Sequence, residues 1–94
     1  MNIFSGLKCS MPWRVVNKRN LTQEEKESVE NAEIVKSDFG MSVCFTLFNG
    51  ETSKVPLTSV SNSKAHIGDI IDLDSISIIT LHNDYDEEIH RIEL

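Results

Sequence analysis

Between Met41 and Leu57 the chain reads MSVCFTLFNGETSKVPL, and its apolar residues recur at every second position up to an Asn-Gly pair. A period of two places Met41, Val43, Phe45 and Leu47 on one face, and Ser42, Cys44, Thr46 and Phe48 on the other. That alternation marks a half-buried antiparallel strand. Asn49-Gly50 is the pair favoured in a type I′ turn, where both central residues need positive φ. The sequence therefore predicts a hairpin of strands 41–48 and 51–57. Ser53, Val55 and Leu57 share one face of the return strand; Thr52, Lys54 and Pro56 share the other. Pro56 has no backbone donor, so the far end of this strand belongs at an edge or a bulge.

The same period governs AEIVKS, residues 32–37, an expected first strand that turns into the hairpin through Asp38-Phe39-Gly40. Gly40 can take positive φ there at little cost. Upstream, LTQEEKESVENA carries a capping box, Thr22 with Glu25 three positions on. Gln23, Glu24 and Glu25 occupy the first turn, where negative charge favours a helix start. A short helix from about Gln23 to Ser28 or beyond is predicted. With only Val29 and Ala32 as apolar residues on it, it covers a corner of the core. Downstream, TSVSNSKAHIGD (58–69) is a polar connection with room for one helical turn. A short strand at 70–73 is expected to bend into a longer one at 75–82. NDYDE makes an acidic turn, and EIHRIEL (88–94) closes the sheet. The expected core is Ile34, Val43, Phe45, Leu47, Ile78 or Ile79, and Leu81.

Ninety-four residues make one domain. No uninterrupted apolar run is long enough for a membrane-spanning helix, and MNIFSGLKCSMPW lacks the apolar centre of a signal peptide. No membrane partner and a cytoplasmic location are the resulting expectations. Cys9 and Cys44 form no CxxC pair and read as free thiols. Charge divides the chain more sharply than hydropathy does. Residues 1–20 hold Lys8, Arg14, Lys18 and Arg19 and no acid, whereas residues 21–94 hold five basic and all fifteen acidic side chains. A basic arm, 1–20, thus precedes an acidic domain, 21–94. Such an arm serves a partner or packs on its own acidic body. Val15-Val16 could form a short edge strand.

Five principal strands with hairpin or short links, one longer link after the third, and no parallel crossover predict a mainly β fold. A flat five-stranded sheet of this size hides no core, so a small barrel or bent sheet is expected. The order of strands, the longer link and the run Gly68-Asp69-Ile70-Ile71-Asp72-Leu73 before the fourth strand resemble those of OB-fold proteins over residues 32–94. The helix departs from the commonest OB arrangement by preceding the first barrel strand. An SH3-like barrel is the alternative.

The resemblance implies a ligand surface across strands two and three, flanked by the first and last loops. On this chain that surface is Ser42, Cys44, Thr46 and Phe48, then Thr52 and Lys54, with Phe39 and Tyr85 in the loops. Phe48 beside Lys54 would offer a stacking face and a cation to single-stranded nucleic acid, and Arg14, Lys18 and Arg19 of the arm would add phosphate contacts. The acidic turn at 83–88 opposes that reading, because phosphate neutralisation dominates such affinities. The expectation is a non-enzymatic binding protein, an accessory factor for single-stranded nucleic acid of the size found in phages and mobile elements. The alternative is an acidic protein-interaction module or inhibitor. His66, His82 and His90 lack zinc-site spacing, the acidic turn lacks the glycine of a calcium loop, and no catalytic motif is present. Neither metal nor cofactor is expected.

Overall fold

The computed structural model describes residues 12–38 and 40–94. Among them the chain runs β1 (Arg14–Asn20), α1 (Gln23–Ser28), β2 (Val29–Ser37), β3 (Gly40–Leu47), β4 (Thr52–Pro56), α2 (Ser59–Asn62), a 3-10 turn (Leu73–Ser75), β5 (Ser77–His82) and β6 (Glu88–Glu93). The strands form two antiparallel three-stranded sheets, ordered β2-β3-β4 and β1-β5-β6. No helix among these residues is long and apolar enough to cross a membrane.

The mainly β expectation holds; a closed five-stranded barrel is not what these strands form. Two features account for the difference. Residues 14–20, expected within the arm, supply a strand that pairs with β5 along its whole length. The fourth strand, expected to begin at Ile70, does not form there. Ile70 instead makes a single bridge to Glu33, and residues 68–71 hydrogen-bond along the outer edge of β2. Gly68 N–H donates to the Ile34 carbonyl, and the Ile34 and Ile71 N–H groups donate to Asp69 and Ala32 carbonyls, all at 2.8 Å. Covering an edge in this way removes it from further pairing.

The two sheets meet at one isolated parallel bridge, Leu57 to Ile92, beside the bond from Thr58 N–H to the Ile92 carbonyl. Their facing sides bury Ile34, Val43, Ile76 and Ile92 completely, with Ala32, Phe45 and Leu57 around them. Ile34, Val43 and Phe45 were expected there from the alternation. Leu47 is only half-buried, and so is Leu81. Ile78 packs on the core from its margin, whereas its neighbour Ile79 is buried outside that cluster.

The β3–β4 turn differs from the predicted type. Gly50 alone has positive φ, +92°, and Asn49 does not. Gly50 N–H donates to the Leu47 carbonyl and Leu47 N–H to the Glu51 carbonyl. This is a three-residue loop of Phe48, Asn49 and Gly50, with glycine in the left-handed position. Asn49 uses its side chain instead, Oδ1 accepting from Glu51 N–H at 2.9 Å. The extra loop residue takes Phe48 out of the strand. Gly40 also has positive φ, +111°, and lies so close to Asn62 that a Cβ would sit 2.9 Å from Asn62 Oδ1.

Three stability outcomes follow from this packing. Phe45→Ala will cost about 3 kcal/mol, the low end of the range for a buried ring, because one side of Phe45 borders a groove. Gly50→Val will cost roughly 1–3 kcal/mol from backbone strain alone, since nothing lies near a Cβ at that position. Gly40→Ala will cost more than Gly50→Ala, because it adds displacement of Asn62 to the same strain. Urea denaturation of the four variants checks all three statements.

Candidate functional site

Helix α1 buries none of its own residues. It is held at its ends. Leu21 before it and Val29 after it are both in the core. Thr22 Oγ1 accepts from Glu25 N–H at 3.1 Å, and Glu25 Oε1 accepts from Thr22 N–H at 2.8 Å, so the predicted capping box is formed. Lys26 Nζ donates to Asp74 Oδ1 at 2.7 Å, tying the helix to the 3-10 turn. A helix that buries no side chain of its own leaves space between itself and the core. That space is a groove of about 510 Å³ whose apolar wall is Leu21, Val29, Phe45, Leu47, Val55 and Ile78. Its volume lies in the range of ligand-binding clefts.

Glu24 and Glu25 stand on the helix side of the groove, and Ser28 and Ser53 complete its lining. A second recess of about 310 Å³ shares Ser28 and Leu47 with the first and adjoins it, near the bond from Phe48 N–H to the Ser28 carbonyl at 3.2 Å. Glu27, Phe48 and Asn49 line this outer recess, with Phe48 68% exposed. Among the described residues the lining of both recesses carries carboxylates and no basic side chain.

The arm cations among the described residues, Arg14, Lys18 and Arg19, are not at this groove as free charges. Arg19 Nη1 and Nη2 donate to the two Glu25 carboxylate oxygens at 2.8 and 3.1 Å. Arg14 Nη1 donates to Asp84 Oδ1, and Lys18 Nζ to Glu93 Oε1, each at 2.6 Å. The Arg19 fork, and then the Thr22 N–H, hold the Glu25 carboxyl down at about 2.

The residues expected at a ligand surface divide between the sheets. Thr46 pairs with Thr52, and Lys54 is opposite Cys44, on β3 and β4. Phe48 follows them in the turn. Arg14, Lys18 and Arg19 lie on β1, and Tyr85, 71% exposed, lies in the β5–β6 turn. Phe39 falls outside the described residues. Ser42, expected on the open face, is buried and donates to Ser37 Oγ at 2.9 Å. The groove residues Leu21, Val55 and Ile78 were not anticipated as a site. The signal for them was present, because a capped six-residue helix with no apolar face cannot seal a core edge.

His82 and His90 both face Glu88, at 2.8 and 3.4 Å from its two oxygens. Hydrogen bonding from His82, with the nearby charge of both imidazoles, lowers the Glu88 carboxyl below its ordinary value. Asp84 is turned to Arg14. Among the described residues no group of three or more His, Cys, Asp or Glu side chains is arranged to hold a metal ion. The chain matches no protein-family model, no curated protein and no solved structure.

Glu25 sets an acid limit on this site. Its pKa is lowered by folding, so its stabilisation is complete above the ordinary value of 4.5 and is lost as pH falls through about 2. The pair is well solvated, its side chains 41% and 39% exposed, which holds the effect to about 1 kcal/mol. Glu25→Gln will therefore lower the melting temperature at pH 7. The gap from wild type will narrow as pH falls from 4.5 toward 2, as thermal melts across that range will show.

Proposed function

We propose that this chain is a non-enzymatic binding module whose acidic surface docks on a basic protein partner. The pairing of Arg14, Lys18 and Arg19 with Asp84, Glu93 and Glu25 carries this reading. Those three cations are the ones a phosphate backbone would need, and each already neutralises a carboxylate of its own chain. Phosphate binding would have to exchange these ion pairs before it gained counterion release. The chain has net charge −6, and carboxylates flank its apolar groove. A basic partner meets complementary charge there, which speeds encounter and selects against acidic competitors.

A second reading keeps the nucleic-acid expectation. Phe48 in the β3–β4 turn and Lys54 on β4 are both exposed, and a stacking face together with a cation suits single-stranded bases. One experiment separates the two. Fluorescence anisotropy at low salt compares a labelled lysine- and arginine-rich peptide with a labelled single-stranded oligonucleotide of equal and opposite charge. The peptide will bind at least about tenfold tighter, a difference of 1.4 kcal/mol, and will weaken as salt rises. Preferential oligonucleotide binding that is lost in Phe48→Ala would overturn the protein-partner reading and establish the nucleic-acid one.

A further inference from the structure

We propose that the trough formed by the groove under α1 and the recess adjoining it at the β3–β4 hairpin seats a cationic amphipathic segment of another protein, apolar side chains inward and Lys or Arg toward α1. The proposal rests on the basic-partner reading and assigns its site. Three observations converge on that occupant. The inner groove is lined mainly by apolar side chains, Leu21, Phe45, Val55 and Ile78 among them, and Leu47 lines both recesses. Its lining offers acids and no base among the described residues, so an anionic lipid, nucleotide or acidic peptide meets like charge. Phe48 stands exposed at the outer recess, an aromatic anchor of the kind that dominates interface energetics when covered.

The acids are not equivalent. Glu25 is committed to Arg19 and to the Thr22 N–H. Glu24 lines the inner groove and Glu27 the outer recess. They stand three residues apart on α1 and therefore on neighbouring turns of one face. Glu27 accepts a bond from Gln23 Nε2 at 3.2 Å, a neutral contact that leaves its charge uncompensated. Glu24 has no side-chain partner among the described residues. Two such carboxylates, one over each recess, match an occupant with two basic residues about one helical turn apart flanking apolar anchors. This is recognition of an amphipathic segment in a groove, with charge fixing its register.

The test is an NMR titration of the ¹⁵N-labelled full chain with a synthetic amphipathic peptide of leucine and lysine. Amide shifts will concentrate in residues 21–29 and 45–55. Ser53→Trp, which fills the trough from an exposed strand position, and the pair Glu24→Lys with Glu27→Lys will each weaken binding about tenfold or more. Both variants must keep the wild-type melting behaviour. Asp86→Lys with Glu87→Lys, an equal charge change on the β5–β6 turn, will weaken it far less. Shifts concentrated at residues 83–88 instead, or a Ser53→Trp variant that binds like wild type, would overturn the trough as the site while leaving the basic-partner reading standing. If Phe4→Ser with Leu7→Ser in the full chain perturbs the trough amides and tightens peptide binding, the chain's own N-terminal segment is the occupant and the proposal falls. Absence of peptide binding at any site would overturn both.

Discussion

Everything in this fold depends on the joint between the two sheets. Among the described residues they share one backbone bridge, Leu57 to Ile92, and burial adds what that bridge alone does not supply. That burial sets Ile34 and Val43 from one sheet against Ile92 from the other, with Ile76 just before β5 between them. Helix α2 secures the same joint with polar groups. Asn62 Oδ1 accepts from Met41 N–H at the start of β3, and its Nδ2 donates to the Leu57 and Thr58 carbonyls at the end of β4. Ser61, fully buried, accepts from Leu94 N–H beyond β6. Four residues of helix thus satisfy backbone groups from both sheets that would otherwise be costly to bury.

Elements specified by local chemistry were legible in the sequence. Alternation located β3 and chose its core face. The capping box gave the start of α1, and the polar link holds the helical turn it had room for. What eluded sequence reasoning was set by partners distant in the chain. Arg14–Asn20 has no buried residue and no clean period, because its ladder with β5 and its ion pairs hold it rather than a core face. Ile70 and Ile71 looked like the start of a strand, yet the segment lies on β2 through backbone bonds. The Asn-Gly signal was read one residue too short, since the same dipeptide serves the three-residue loop when Asn49 bonds to Glu51 through its side chain. That single-residue difference moved Phe48 from a strand face to the lip of a recess.

Charge follows the same logic. In sequence the basic arm and acidic body look like separate regions, an arrangement that invites an anionic ligand. In the fold they neutralise one another across β1, and each exposed pair contributes about 0–1 kcal/mol. Their larger effect is on the field. Cancelling positive charge along β1 leaves the acids of α1 to dominate the groove. Arg19 bears on both matters, since it ties β1 to α1 through the same Glu25 that caps the helix.

The remaining unsatisfied surface follows from how the edges are handled. β2 is covered by residues 68–71. On β1, Val16 is an extra residue between Val15 and Asn17 in the pairing with β5, and Arg14, Lys18 and Arg19 lie along the strand. A bulge and charged side chains are both devices that blunt an edge against pairing. The trough has no comparable device. A longer or more apolar α1 would close it, and the chain instead carries a six-residue helix held by its caps, with acids over the opening. Exposed apolar surface rimmed by polar residues is the pattern an interaction site shows. In the proposed docking role, the same poor packing of α1 that opens the groove is what would let Glu24 and Glu27 face a partner.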